Sequence, residues 1–242
     1  MRAARISEQT EIISFGTVTL PRWLADTVVR AAKVTGVDPS YVMALVEKES
    51  SFIPDRKART SSATGLFQFL EGTWLEVLSA HAAKHGYGVL ADAITIVDGK
   101  PVVADPDQRR WILDLREDPY LSALMACEMV KQSRERLARQ TERAPTKAEL
   151  YLSHFLGSNG AARLLKLAAE KPDEKAPKLF PRAAKANQAI FFAKEDNKRE
   201  EATVAQVQAR IAEMMNQRVQ RYAKLDQSSV LAAQLSRDPP TP

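Results

Sequence analysis

The sequence predicts a mostly α-helical fold, and three observations predict it. Apolar residues recur at helical spacing through most of the chain, the patterned segments are separated by Gly and Pro, and only Ile94 to Val103 carries a hairpin signal. At 242 residues and 45% apolar content, the chain can bury one sizeable core with a small appendage.

Taken in order, residues 1–19 read as an irregular or short edge segment whose Ile12, Ile13, Phe15 and Val18 pack on the body. Pro21 to Thr35 is a first amphipathic helix, ended by Gly36. Asp38 followed by Pro39 is an N-cap with proline at the first helical position. Tyr41, Leu45 and Val46 carry the apolar face on to Glu47, Lys48 and Glu49, so a second helix runs from Asp38 to Glu49. A loop rich in Ser and Thr leads to a third helix at about Glu71 to His85. Asp98-Gly99 between apolar runs predicts the hairpin.

Asp107 to Leu115, Tyr120 to Gln140, Lys147 to Phe155 and Ser158 to Glu170 read as further helices, punctuated by Pro119, Pro145 and Gly157. Pro172 to Pro181 reads as a charged linker, residues 182–192 as helix, and from Ala193 the chain turns charged and glutamine-rich. Val204, Val207, Ile211 and Met214 form one amphipathic stripe that can dock on the body, pair with a partner helix or contact membrane. The mixed charge of its polar face favours docking or a protein partner through residues 204–225. The last ten residues are expected to be disordered. The predicted organisation is therefore an N-terminal segment over 1–19, a main domain over 20–195 and a C-terminal helical extension over 196–242.

Composition excludes several classes. A net charge of +5 and a pI near 9.3 allow attraction to polyanions, yet there is no zinc-ligand pattern and no aromatic-studded RNA-binding motif. The longest basic runs are pairs such as Lys198-Arg199, so nucleic acid is not an expected partner. No apolar run reaches the roughly 18 residues of a membrane span, and the first thirty residues hold no visible export signal. Cys127 is the only cysteine, and its neighbours Leu124, Met125, Met129 and Val130 predict a buried helical thiol without a nucleophilic role.

The most informative segment runs from Val42 to Trp74, where a lone acid, a polar loop and a Gly-Leu-x-Gln turn follow one another. Glu49 lies near a helix C-terminus, where the macrodipole gives a carboxylate nothing. Apolar walls such as Phe52 and Phe67 would disfavour its ionised form further, which is how a general acid is made. Asp55, beside Arg56, Lys57 and Arg59, reads as an exposed, salt-bridged residue, and Glu71 as an acid at a helix N-terminus. Trp74 and Trp111 read as core.

This block resembles the catalytic stretch of the lytic transglycosylases of the lysozyme superfamily, through Glu49-Ser50, Phe52, Pro54 and the run Ser62-Ala63-Thr64-Gly65-Leu66-Phe67-Gln68. Leu150 to Ala162, LYLSHFLGSNGAA, occupies the place of the family's Ala-Tyr-Asn-Ala-Gly motif and aligns through Gly157, so the resemblance covers roughly residues 20–195. Phe67 stands where the family usually has Met. His154 falls on the usual Tyr, with Tyr151 three residues earlier as a substitute.

The resemblance implies a lysozyme-like helical domain that cleaves peptidoglycan strands in the cell envelope or periplasm, with no metal or organic cofactor. Glycosidic cleavage commonly uses two carboxylates. With one candidate acid, the resemblance implies that Glu49 protonates the bridging oxygen while the substrate's own 2-acetamido group attacks, and that a 1,6-anhydro sugar results. Glu49 must then be protonated near neutral pH, well above the ordinary value of ~4.3. Gln68 would bond the acetamido group or position the acid, and Ser50 would orient the helix end or pack beneath the loop. Gly65 would admit close approach of the sugar or serve as a plain turn. Phe67, Tyr151 and His154 would line the groove, with His154 balanced between core and substrate contact. Two other readings stay open: a muramidase hydrolysing the same bond, and a non-catalytic wall-binding assembly protein working through the 204–225 helix.

Overall fold

The computed structural model describes residues 11–195 and 198–226, and these are mostly helical, with three small two-stranded antiparallel sheets. The chain divides into two compact units, residues 1–129 with 219–242, and residues 130–218.

In the first unit, β1 (Ile12–Phe15) and β2 (Val18–Pro21) form a hairpin around Gly16, with Ile13 opposite Leu20. Of the two readings of this segment, irregular chain or short edge element, its described part takes the second. Helix α1 (Arg22–Thr35) buries Leu24, Ala25, Val28, Val29, Ala31 and Ala32 along one stripe, and Gly36 closes it in the left-handed region at φ 72°. Helix α2 (Pro39–Ser50) starts as predicted: the Asp38 carboxylate accepts from the Tyr41 N–H at 3.1 Å, and Pro39 needs no partner for a missing donor. Its residues Tyr41 to Val46 are all buried, so α2 is apolar around its whole girth and is a core helix. Each large side chain so buried contributes about 1.5–3 kcal/mol.

Helix α3 (Glu71–His81) is anchored by the fully buried Trp74, whose indole N–H donates to the Ile112 carbonyl at 2.7 Å. The predicted continuation to His85 is a separate 3-10 turn, Ala83–His85, which Gly86 ends at φ 86°. After the short helix α4 (Gly88–Asp92) comes the expected hairpin, β3 (Thr95–Val97) and β4 (Lys100–Val102). Asp98 and Gly99 both take positive φ there, as a tight type I′ connection demands. Helix α5 (Pro106–Asp114) leads through a 3-10 turn, Leu115–Glu117, into α6 (Pro119–Thr141). The first half of α6 buries Leu121, Leu124, Met125 and, as predicted, Cys127. Trp111 departs from its reading: it is 53% exposed, because its neighbours Ile112 and Leu113 occupy the inward face of α5.

In the second unit, α7 (Lys147–Glu170) opens with a full capping box between Thr146 and Glu149 and breaks at Gly157, whose φ 70° and ψ 160° separate the two predicted helices. The expected linker holds a helical turn, α8 (Ala176–Leu179), and the expected helix over 182–192 is split by non-helical Asn187 into α9 (Pro181–Ala186) and α10 (Gln188–Phe191). A further hairpin, β5 (Phe192–Glu195) with β6 (Lys198–Glu201), replaces featureless charged chain. Helix α11 (Val204–Arg221) buries Val204, Val207, Ile211 and Met215. The fourth buried position is therefore Met215 and not Met214, and the stripe is covered within the fold. The tail expected to be disordered lies outside the described residues. No helix among the described residues is long and apolar enough to cross a membrane.

Candidate active site

Glu49 sits in the last turn of α2, half-buried, followed by the wholly buried Ser50. The helix ends abruptly because both Ser51 and Phe52 take left-handed φ, 54° and 62°. Non-glycine residues pay roughly 1–2 kcal/mol each in that region, so this end is held by its surroundings. Two holds are visible on the helix end. The Ser50 hydroxyl donates back to the Val46 carbonyl at 3.3 Å, and the Arg56 guanidinium donates to the Ser50 carbonyl at 3.2 Å. An arginine at the negative end of a helix satisfies both an orphan carbonyl and the dipole.

Arg56 is also the node that joins the two halves of the motif. Its own carbonyl accepts from the Gly65 N–H at 2.9 Å and from the Gln68 side-chain amide at 3.0 Å. The same Gln68 amide donates to the Gly65 carbonyl at 2.9 Å. Both partners are carbonyls, which fixes the NH₂ end of Gln68 on the loop. Its two donors are spent on the backbone, and only the side-chain oxygen is left to meet a ligand. Gln68 holds a left-handed φ of 49° beside the reciprocal Thr64–Phe69 pairing of N–H and carbonyl groups at 3.1 and 3.2 Å.

Gly65 meets protein where the sequence reading allowed a sugar. At φ 86°, a Cβ there would lie 2.0 Å from the Arg116 carbonyl oxygen, so the absent side chain makes room for the turn before α6. Arg116 itself is buried beneath the loop and donates to the carbonyls of Ser62 at 2.6 Å, Phe69 at 3.2 Å and Leu113 at 2.7 Å. Burial pulls its guanidinium below the usual arginine range, against the opposing pull of Glu71, Asp114 and Glu117. The sequence reading assigned Arg116 nothing. No local motif marks it, because its partners lie 47 and 54 positions away.

Three other carboxylates near the loop are engaged. Glu71 pairs with Arg109 at 2.6 Å, and Glu117 with Lys57 at 3.0 Å. Glu47 receives the Tyr222 hydroxyl at 2.7 Å on one oxygen and the Arg221 guanidinium on the other. Asp55 is exposed, as read, while the ion pair also expected of it is not found among the described residues. Phe52 and Phe67 are buried, at 7% and 5% exposure.

Tyr151 and His154 belong to the second unit. Tyr151 is buried and stacks on His154, with ring centroids 5.7 Å apart, and on Phe155 at 6.4 Å. His154 is exposed, so it is no core histidine. Three-residue spacing puts the two rings on one helix face.

Fold and loop together define a mostly helical, lysozyme-like domain. Residues 26–85, which carry α1, α2, the loop and α3, match the family model of the transglycosylase SLT domain. Over this stretch the chain is similar to the SLT domain of the lytic transglycosylases in the lysozyme-like superfamily.

Proposed function

We propose that the protein cleaves the β-1,4 bond from N-acetylmuramic acid to N-acetylglucosamine with formation of a 1,6-anhydro ring, using Glu49 as both acid and base. The observation that supports this reading is the state of the neighbouring acids: among the described residues Glu47, Glu71 and Glu117 are each committed to a cation, and Asp55 stands exposed to solvent in the loop and not in an apolar pocket. The substrate then supplies the second function. Glu49 gives its proton to the bridging oxygen while the acetamido oxygen attacks the anomeric carbon, and the glycosidic bond breaks. The Glu49 carboxylate next takes the proton of the C6 hydroxyl, O6 displaces the acetamido oxygen, and the acid returns to its starting state without consuming water.

Within this reading the Gln68 side-chain oxygen accepts from the acetamido N–H, since its donors are already used. Ser50 keeps the helix end in place through Val46. Phe67 in the first unit, and Tyr151 and His154 in the second, are each proposed as substrate contacts, and the proposed domain over residues 20–195 extends past the family match on the strength of the Leu150 to Ala162 motif. Buried stripe residues in α11 favour docking over a partner helix. The substrate sets the working compartment at a bacterial cell wall, in the envelope or periplasm.

Mass spectrometry of peptidoglycan digested by the wild type and by Glu49→Gln tests the reading. Anhydro-muropeptides that fall by about 10³-fold or more in the variant are the expected result. Reducing-end products would make the protein a muramidase, and no release by the wild type would make it a binding protein.

A further inference from the structure

The residues that hold Glu47 come from the far end of the chain. Glu47 lies two positions before Glu49, about 200° around the helix, so the two acids leave α2 on opposite sides. On the Glu47 side, Tyr222 is fully buried, and its ring stands edge-on to Phe15 at 5.1 Å and to Phe52 at 6.1 Å. Its hydroxyl bonds one Glu47 oxygen and Arg221 takes the other, so each oxygen of one carboxylate is fixed by a different donor. Leu225, also buried, closes the turn by donating its N–H to the Tyr222 carbonyl at 3.0 Å. Phe52 is one of the two left-handed residues that end α2, and it is touched by the same tyrosine.

We propose that Glu47, Arg221 and Tyr222 form a clasp that positions the candidate acid, so that the end of α11 and the residue after it are a working part of the site. Arg221 and Tyr222 grip the back of the last turn of α2, and Tyr222 packs against the strained residue Phe52 that follows it. The hydrogen bonds fix rotation of the turn about the helix axis, and the ring contact fixes where the loop departs. Glu49, on the opposite side, inherits both constraints. The clasp touches no substrate; its members are positioning residues. This inference rests on the assignment of Glu49 as the acid.

The test compares Tyr222→Phe, Glu47→Gln and Arg221→Gln with the wild type in the full-length protein. Three readouts are taken: melting temperature, amide hydrogen exchange resolved at residues 50–53, and kcat and KM for release of anhydro-muropeptides. Tyr222→Phe keeps the ring against Phe15 and Phe52 and removes only the hydroxyl, so the fold is retained. The clasp predicts that kcat falls roughly tenfold, with KM changed by less than about twofold, because a displaced acid loses transition-state stabilisation and not binding. It also predicts faster exchange confined to residues 50–53 and the 219–226 turn, and partial rescue by Arg221→Lys over Arg221→Gln.

A lower melting temperature with unchanged kcat and unchanged exchange at 50–53, measured well below melting, would overturn the clasp and leave an ordinary stabilising contact. If the wild type itself releases no product, the assignment of the acid fails. Exchange then decides the clasp alone: faster exchange at 50–53 in Tyr222→Phe sustains it, and unchanged exchange removes it.

Discussion

The loop from Ser51 to Leu70 and the hairpin from Thr95 to Val102 belong to the same unit and are ordered by opposite means. The hairpin has regular pairing and a tight turn, yet it leaves Ile96, Val97 and Val102 40–58% exposed. The loop has almost no regular structure, and it is stitched by the buried Arg116, the half-buried Gln68 and the exposed Arg56 through carbonyl groups. Regular secondary structure satisfies a backbone locally and can stand on a surface. A backbone that takes an irregular shape is instead satisfied by polar side chains, and a buried one such as Arg116 is the hardest for water to replace.

Glycine gives the sharpest way to break this comparison, because Gly65 and Gly99 share left-handed φ, 86° and 74°, but differ in surroundings. A Cβ at Gly99 meets nothing within 4 Å, whereas at Gly65 it meets the Arg116 carbonyl at 2.0 Å. Gly65→Ala is expected to destabilise by about 3–5 kcal/mol, combining backbone strain with overpacking, and Gly99→Ala by only about 1–2 kcal/mol. Urea titration of both variants checks the gap. Similar losses at both sites would mean that the loop yields where the geometry says it cannot.

Next in size is Arg116→Met, which keeps the length of the side chain and removes the buried guanidinium donors from the carbonyls of Ser62, Phe69 and Leu113. The expected loss is about 2–4 kcal/mol, with exchange at Thr64 and Phe69 accelerating first, since their mutual pairing closes the loop base. Uniform acceleration over the whole unit would show that Arg116 supports the core at large and not the loop.

What could be read from the sequence follows from the range of the interactions. The start of α2 was legible because Asp38-Pro39 is a local signal, and its end because the acid and the polar loop are adjacent. The same Asp-Pro signature sets the starts of α5 and α6, where the carboxylates of Asp105 and Asp118 each accept an N–H at 2.7 Å. Apolar periodicity alone put both helices one residue late. Trp111 was misplaced for a related reason: periodicity shows that a face is apolar, but not which of three neighbouring apolar residues turns inward. Arg116 and the Arg221-Tyr222 pair were beyond reach, because nothing local distinguishes an arginine that caps carbonyls 47 positions away or a tyrosine that meets an acid 175 positions back. Glu49 stood out in the sequence as the candidate acid, and the residues that hold its helix end did not.

The smallest expected effect separates the loop from the second unit by pH. Glu149 accepts from Arg143 at 2.5 and 2.8 Å and from the Thr146 N–H at 2.8 Å. The Arg143 hydrogen bond, helped by those from Thr146 and opposed by burial, holds its carboxyl below the usual glutamate range. A depressed folded-state pKa contributes stability that is present above the unfolded value and lost as pH falls through the folded one. Gln at 149 can keep the capping geometry but not the charge. Glu149→Gln should therefore cost about 0.5–1 kcal/mol at pH 7, modest because Arg143 is half exposed, and progressively less as pH drops below the glutamate range. The Arg116 anchors join a guanidinium to neutral carbonyls, so nothing in them titrates over the same interval. Urea midpoints at pH 7 and pH 3 should show the Glu149 difference closing while the Arg116→Met difference persists. Should both close together, acid would be acting on the loop through its neighbouring carboxylates, Glu71 and Glu117, and the loop's stitching would be electrostatic as much as it is hydrogen bonding.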